Sequence, residues 1–235
     1  LPVSRPLELT SQNGKLLWVE EWLYGEMLEQ ALPRFSQEDQ YRLGAQAGQI
    51  AKALHSLPCP PSQEPWEVHF GKKIDKKIAT YHACPLHYEN GELFVRYLLE
   101  NRHLLAGRPQ CVQHGDFHVG NMMLCNGMLF IIDFDRPDFG DPWEEFNRIV
   151  WCAQLSPAFS SGLVDSYFDG TPPLLFWKLL ALYIASNTLG SLPWAIPFGE
   201  KEIITMRNQA AEVLQWYDNM NTPIPSWYHS PSKLK

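Results

Sequence analysis

The chain has 235 residues, 45% of them apolar and 19% charged, enough to bury a substantial core as one domain or as a domain plus part of another. Its formal charge of −7 speaks against a nucleic-acid partner, which would call for a basic patch. Five scattered cysteines without a C-x-x-C pair suit a reducing cytosol better than a disulfide framework, and early prolines and charges stand where a signal peptide would be apolar.

Residues 2–9 and 16–22 read as two strands around the polar turn Ser11-Gln12-Asn13-Gly14. Residues 36–56 form the clearest helix. Ser36 caps it, Asp39 lies in its first turn, and Leu43, Ala47, Ile50, Ala51 and Leu54 recur at helical spacing. Leu57-Pro58 ends it, and His55 is read as a C-terminal cap that complements the helix dipole. After a loop over 60–70, residues 71–82 read as a Lys-rich helix. Ile74 and Ile78 form its apolar stripe, with Lys72, Lys73, Lys76 and Lys77 on a solvated face. Residues 90–105, with Leu93, Tyr97, Leu98 and Leu104, form another amphipathic helix, expected to pack beneath the polar loop that follows. Arg102, His103 and Arg108 near its end read as surface charges.

Residues 111–141 organise the rest. A short apolar run, 111–113, precedes the polar loop His114-Gly115-Asp116-Phe117-His118-Val119-Gly120-Asn121. Two apolar runs, 122–125 and 128–132, then flank Asn126-Gly127, the strongest short-range hairpin signal because both residues tolerate positive φ. Such a hairpin brings the loop before its first strand close to the residues after its second, so Asp116 and Asn121 are expected to converge with Asp133. Two carboxylates and an amide make an oxygen-rich site suited to Mg²⁺, a hard cation that also binds phosphate. Phosphoryl transfer uses such a set, with one carboxylate accepting the proton of the attacking hydroxyl.

Downstream, Asp141 caps a helix over 143–154 with Pro142 at its first position. Helices are expected over 161–168, 172–186 and 199–220, before a Pro-rich tail. Residues 174–198 are apolar but interrupted by Lys178, Asn187 and Pro193, which favours a buried core helix over a membrane span. Glu144, Glu145, Asp165, Asp169 and Asp218 are candidates for a substrate cleft, and Trp194, Trp216, Tyr217 and Trp227 for its aromatic walls.

The blocks H-G-D-F-H-x-G-N, I-D-F-D and G-D-P resemble the aminoglycoside phosphotransferase family, small-molecule relatives of the protein kinases. The resemblance implies an α+β, protein-kinase-like fold whose helical C-terminal lobe carries the catalytic hairpin. It makes Asp116 the catalytic base and Asn121 and Asp133 the Mg²⁺ ligands, with ATP as phosphoryl donor. His114, His118, Arg136 and Asp141 become candidates for supporting the site or touching substrate, Asp141 by bracing the catalytic loop and His114 by fixing its backbone. Arg136 reads equally as a phosphate or substrate contact and as a surface ion pair; Asp135 is read as a turn residue, with a metal role as the alternative.

The resemblance also places the nucleotide hinge at Glu21, Trp22 and Leu23. Residues 1–25 would then be the last strands of a small N-terminal lobe and the hinge, and residues 26–235 the catalytic and substrate-binding lobe. No Gly-rich loop or phosphate-pairing Lys is found in the sequence, so it is expected to be part of a longer polypeptide. The implied activity is phosphorylation of a hydroxyl on a small molecule by a cytoplasmic enzyme with no nucleic-acid or membrane partner. The family label implies aminoglycosides, but relatives phosphorylate choline, homoserine, methylthioribose and macrolides, and fold analogy does not choose among them. A catalytically silent nucleotide-binding module is the rival reading. The sequence leaves the oligomeric state open.

Overall fold

The computed structural model describes residues 1–61, 63–134 and 138–229. Asp135 and Arg136, for which the sequence offers alternative roles, lie outside the described residues.

Strands β1 (Pro6–Gln12) and β2 (Lys15–Glu20) pair antiparallel across Asn13-Gly14, whose φ values of 53° and 74° fit a two-residue hairpin turn. Both faces of this ribbon meet solvent: Leu9, Leu16 and Trp18 are exposed on one, Leu17 and Val19 on the other. The chain then passes through residues 21–25 into β3 (Glu26–Met27), which pairs with β5 (Met122–Cys125). The expected hairpin forms between β5 and β6 (Met128–Ile131), closed by Asn126 and Gly127 with φ of 50° and 79°. β4 (Cys111–Gln113) pairs with β7 (Asp138–Gly140), so the polar loop and the segment after β6 are held at the same end of the hairpin.

The helices build the platform under it. After α1 (Leu28–Ala31), α2 (Gln37–Leu54) starts as expected, with the Ser36 hydroxyl accepting the Asp39 N–H at 3.1 Å. It crosses α6 (Pro157–Tyr167) in backbone contact: a Cβ on Gly44 would lie 1.9 Å from the Phe159 carbonyl oxygen. The Lys-rich helix is longer than its charge pattern suggested. It runs as α3 (Trp66–Ala83), because Trp66 and Phe70, from the stretch read as loop, bury fully in the core.

The predicted helix over 90–105 is α4 (Glu92–Asn101) followed by a 3₁₀ turn. It packs against α7 (Leu174–Ala195) rather than beneath the polar loop, with the Tyr97 hydroxyl donating to the Lys178 carbonyl at 3.2 Å. α7 is the centre of the core. Leu179, Leu180, Leu182, Leu189 and Leu192 are completely buried, each worth about 1.5–3 kcal/mol of hydrophobic stabilisation. Leu174–Phe198 is the one helical stretch among the described residues apolar and long enough to cross a membrane, and 67% of its apolar window is buried inside the fold.

The helix expected over 143–154 divides into a 3₁₀ segment, Glu144–Arg148, and α5 (Ile149–Leu155). In the tighter segment the Asn147 side chain donates to the Glu144 carbonyl at 2.6 Å, a local bond that competes with α-helical pairing. α8 (Glu200–Trp216) is shorter than predicted because Asp218, Asn219 and Met220 all take positive φ and end it.

Candidate active site

The polar loop between β4 and β5 is held by its own histidines. Gly115, at φ 85°, bends the chain so that the Asp116 N–H donates to His114 Nδ1 at 3.2 Å. That nitrogen accepts, so Nε2 carries the ring proton and donates to the Ile132 carbonyl at 2.9 Å. The ring is fully buried and clips the loop to the end of β6. His118 does the same on a smaller scale. Its Nδ1 accepts the Gly120 N–H at 3.1 Å, which turns the protonated Nε2 toward Asp116 Oδ2, 3.6 Å away.

Asn121 closes the loop. Its Nδ2 donates to the Asp116 carbonyl at 2.9 Å and to Asp116 Oδ2 at 3.3 Å. The Ile132 N–H donates to the Asn121 carbonyl at 3.0 Å, so both backbone groups of the residue before Asp133 are bonded to the loop. Asp133 itself is exposed and sits at φ 68°, an uncommon conformation for a residue with a Cβ. Asp116 and Asn121 are thus in direct contact, and Asp133 joins them through Ile132.

The Asp116 carboxyl is held down at about 2 by the neighbouring His118 N–H, helped by the charge of Arg148 and by Asn121, against burial, which raises it. Arg148 Nε lies 3.1 Å from Asp116 Oδ1, close enough for an ion pair but off the hydrogen-bond line. The pair opens on a cavity of about 870 Å³, walled by the loop, α3, α5, α7 and α8. Lys77, Trp151, Asn187 and Glu202 line it.

Several expectations need correction. Glu145 is not a substrate group. It is 2% exposed, and its carboxylate accepts the N–H of His114 at 2.5 Å and of Gly115 at 3.0 Å. His55 is positioned at the end of α2, but its side chain is buried below the loop, with Nδ1 3.0 Å from the Tyr167 hydroxyl and Nε2 3.7 Å from Glu145. Arg108 is not a surface charge. It binds both oxygens of Asp141, at 2.6 and 2.9 Å, and stacks 3.6 Å from the Trp143 ring centre.

Asp141 is completely buried and also accepts from the Tyr183 hydroxyl and the Trp143 N–H, so it anchors the segment that carries Glu145 without reaching the cavity. Glu144 pairs with Lys73 at 3.2 Å. Asp165 accepts from two tyrosine hydroxyls and Asp169 pairs with Lys52, while Tyr217 and Trp227 are buried in the core. Of the proposed aromatic walls Trp194 alone lines the cavity. Lys77, read as solvated, lines it too; its position three residues after buried Ile74 placed it beside the apolar stripe all along.

Glu21, Trp22 and Leu23 lie between β2 and β3, directly upstream of the strand that pairs with the hairpin. The Glu21 N–H is bonded to the Arg5 carbonyl at 2.9 Å, and Trp22 is 77% exposed.

The model of the phosphotransferase enzyme family matches residues 1–177. Among curated protein sequences none matches the chain. A solved choline/ethanolamine kinase family protein from Mesorhizobium loti is similar with a TM-score of 0.69 and 15% identity, over 93% of this chain and 75% of that one. The gentamicin complex of APH(2")-IIa gives a TM-score of 0.61 and 17% identity over 94% and 77%. A ternary complex of a thermostable mutant of the aminoglycoside phosphotransferase APH(4)-Ia with ADP and hygromycin B gives 0.64 and 14% over 92% and 77%. At these identities the likeness shows the fold, which is protein-kinase-like. Because the family model runs from the β1–β2 ribbon through the loop and hairpin into α7, the chain belongs to the phosphotransferase enzyme family.

Proposed function

We propose that the protein transfers a phosphoryl group from ATP to a hydroxyl of a small molecule, with Asp116 as the group that orients and deprotonates the acceptor. The observation that carries this is the Asp116–Asn121 contact, which fixes a carboxylate on the wall of a cavity large enough for a sugar-sized ligand. A carboxyl held at about 2 is a weak base, so orientation of the hydroxyl is its main contribution and proton uptake comes late.

The donor set fits Mg²⁺. Asn121 uses its Nδ2 on Asp116, which leaves the amide oxygen to face a cation, and Asp133 supplies a carboxylate. Among the described residues no group of three or more His, Cys, Asp or Glu forms a cage, and Mg²⁺ is ordinarily held by one or two protein ligands together with phosphates. Bound there, the ion would neutralise charge developing on the transferred phosphate. In the hinge the Glu21 N–H is already used, so Trp22 and Leu23 are the residues whose backbone groups would meet an adenine edge. ADP in the similar APH(4)-Ia complex supports nucleotide as the donor, and gentamicin and hygromycin B in the two complexes support a polyhydroxylated acceptor. The exposed apolar side chains of the β1–β2 ribbon support the reading that it belongs to a larger small lobe in the full-length protein.

The test is an ADP-release screen of the full-length protein over aminoglycosides and small metabolic alcohols. Turnover should appear with at least one acceptor, and Asp116→Asn should lower kcat by about 10²–10⁴-fold without loss of folding. Asp133→Ala should abolish turnover. Near-wild-type rates in either variant would remove this mechanism.

A further inference from the structure

The cavity beside Asp116 carries a cation, Lys77, that has no ion-pair or hydrogen-bond partner among the described residues. Lys73, one turn earlier on α3, pairs with Glu144 at 3.2 Å. The Lys77 stem lies along α7 at Gly190, where a Cβ would come within 3.2 Å of Lys77 Cε and 3.4 Å of Nζ. The missing side chain at Gly190 therefore makes room for the lysine, and both residues line the cavity.

Arg148 lines the same cavity. Its Nε faces Asp116 without hydrogen-bond alignment, at 3.1 Å from Oδ1. The acidic lining is thinner than a polycation would need. Asp116 is already engaged by Asn121 and Arg148, Glu29 is an exposed rim residue on α1, and Glu202 is half-buried on α8. The remaining polar lining includes the amide of Asn187, which suits a hydroxyl group, while Gln154 donates to Glu212 and accepts from Gln209.

We propose that the acceptor is a hydroxylated small molecule bearing a carboxylate or phosphate, and that Lys77 together with Arg148 receives this anionic group and so sets substrate choice. The inference rests on the phosphotransfer reading of the same cavity. Burial first, and then the charges of Lys73 and Arg148, lower the Lys77 ammonium to about 7 against the opposing pull of Glu144. An anion in the cavity would relieve that repulsion, and Arg148 offers the fork geometry that carboxylates and phosphates fit. Trp151 and Trp194 supply flat apolar walls for the carbon skeleton.

The experiment measures equilibrium binding to the full-length protein by calorimetry. The probes are gluconate, glucose 6-phosphate and inorganic phosphate, with neutral glucose and cationic kanamycin and choline for contrast. At least one anion should bind more tightly than glucose and both cations, and the better of gluconate and glucose 6-phosphate names the anionic group. Lys77→Met should weaken that anion about 10- to 100-fold, the worth of a charge-assisted hydrogen bond, while Lys77→Arg recovers most of it. Unfolding midpoints of both variants confirm that the fold is kept.

Tighter binding of kanamycin or choline, or no binding of any anion, overturns the proposal. So does a Lys77→Met variant that loses affinity for ATP while gluconate and glucose 6-phosphate are unaffected. Lys77-dependent anion binding without turnover of any acceptor would keep the site and overturn the phosphotransfer reading instead.

Discussion

The carboxylate of Glu145 takes the backbone N–H of His114 at 2.5 Å, and the next peptide, at Gly115, donates to its other oxygen at 3.0 Å. The tight bend at Gly115 points both N–H groups into the protein, away from water, and a buried peptide donor without an acceptor is costly. Glu145 thereby fixes the peptide that precedes Asp116. Glu145→Gln keeps the shape but replaces one acceptor oxygen with an NH₂ facing an N–H. We expect a stability loss of about 1–3 kcal/mol in urea unfolding. With whichever acceptor the ADP screen yields, kcat should fall more than KM rises, because the displaced group acts on the reacting hydroxyl. A destabilised variant that keeps wild-type kcat would separate the brace from the chemistry.

The next layer out is the Arg108–Asp141 pair. Asp141 has no exposure, and the guanidinium meets it with two parallel bonds while stacking on Trp143. Lysine offers a point charge with no fork and no flat face. Arg108→Lys is expected to lose about 1.5–3 kcal/mol, and Arg108→Ala about 3–5 kcal/mol because it leaves a buried carboxylate uncompensated. Equal losses in the two variants would show that stacking, not the paired charge, is what Arg108 provides.

These two residues also mark what could be read in the sequence. Asn126-Gly127 and the Ser36 cap are local signals, complete within a few residues, and both formed as expected. The meeting of the polar loop with the end of β6, where the Ile132 N–H donates to the Asn121 carbonyl, followed from the hairpin, since the loop before one strand must return to the end of the other. Glu145 and Arg108 carry no such mark. A charged residue reads as surface until its partner is known, and their partners lie 30 or more positions away, Gly115 from Glu145 and Asp141 from Arg108. Lys77 was hidden by its neighbours, because four lysines within six residues look like one solvated face although two of them turn inward.

The crossing of α2 and α6 had no sequence signal beyond its glycines. A Cβ on Gly44 would meet the Phe159 carbonyl at 1.9 Å, one on Gly48 the Leu163 carbonyl at 2.3 Å, and one on Gly162 the Tyr41 carbonyl at 2.1 Å. These are backbone atoms, which cannot swing aside as a side chain would. Ordinary overpacking costs about 1–3 kcal/mol, and Gly44→Ala is expected at the upper end of that range or beyond, although alanine is the better helix former. A change within about 0.5 kcal/mol in urea unfolding, the scale of a surface substitution, would show that the helices are not in backbone contact.

Lys77 should reveal its buried charge in the pH dependence of stability. Its ammonium is pushed from 10.5 to about 7 by burial first and then by Lys73 and Arg148, with Glu144 opposing; the α7 residues Asn187 and Gly190 that line the cavity with it bear no charge. Between those two values the unfolded chain binds the proton and the folded chain does not. Stability therefore rises with pH across that window, and the full penalty of the charge is felt below about 7. Lys77→Met removes the penalty and keeps the stem that packs on Gly190. The variant should unfold at higher urea than the wild type at pH 6, by about 1 kcal/mol, the common gain when a functional residue is replaced by a structurally better one. The advantage should shrink steadily between pH 7 and pH 10. A Lys77→Met variant no more stable at pH 6 than at pH 10, relative to wild type, would mean that the ammonium has a partner in solution, and the strain ascribed to it would be absent.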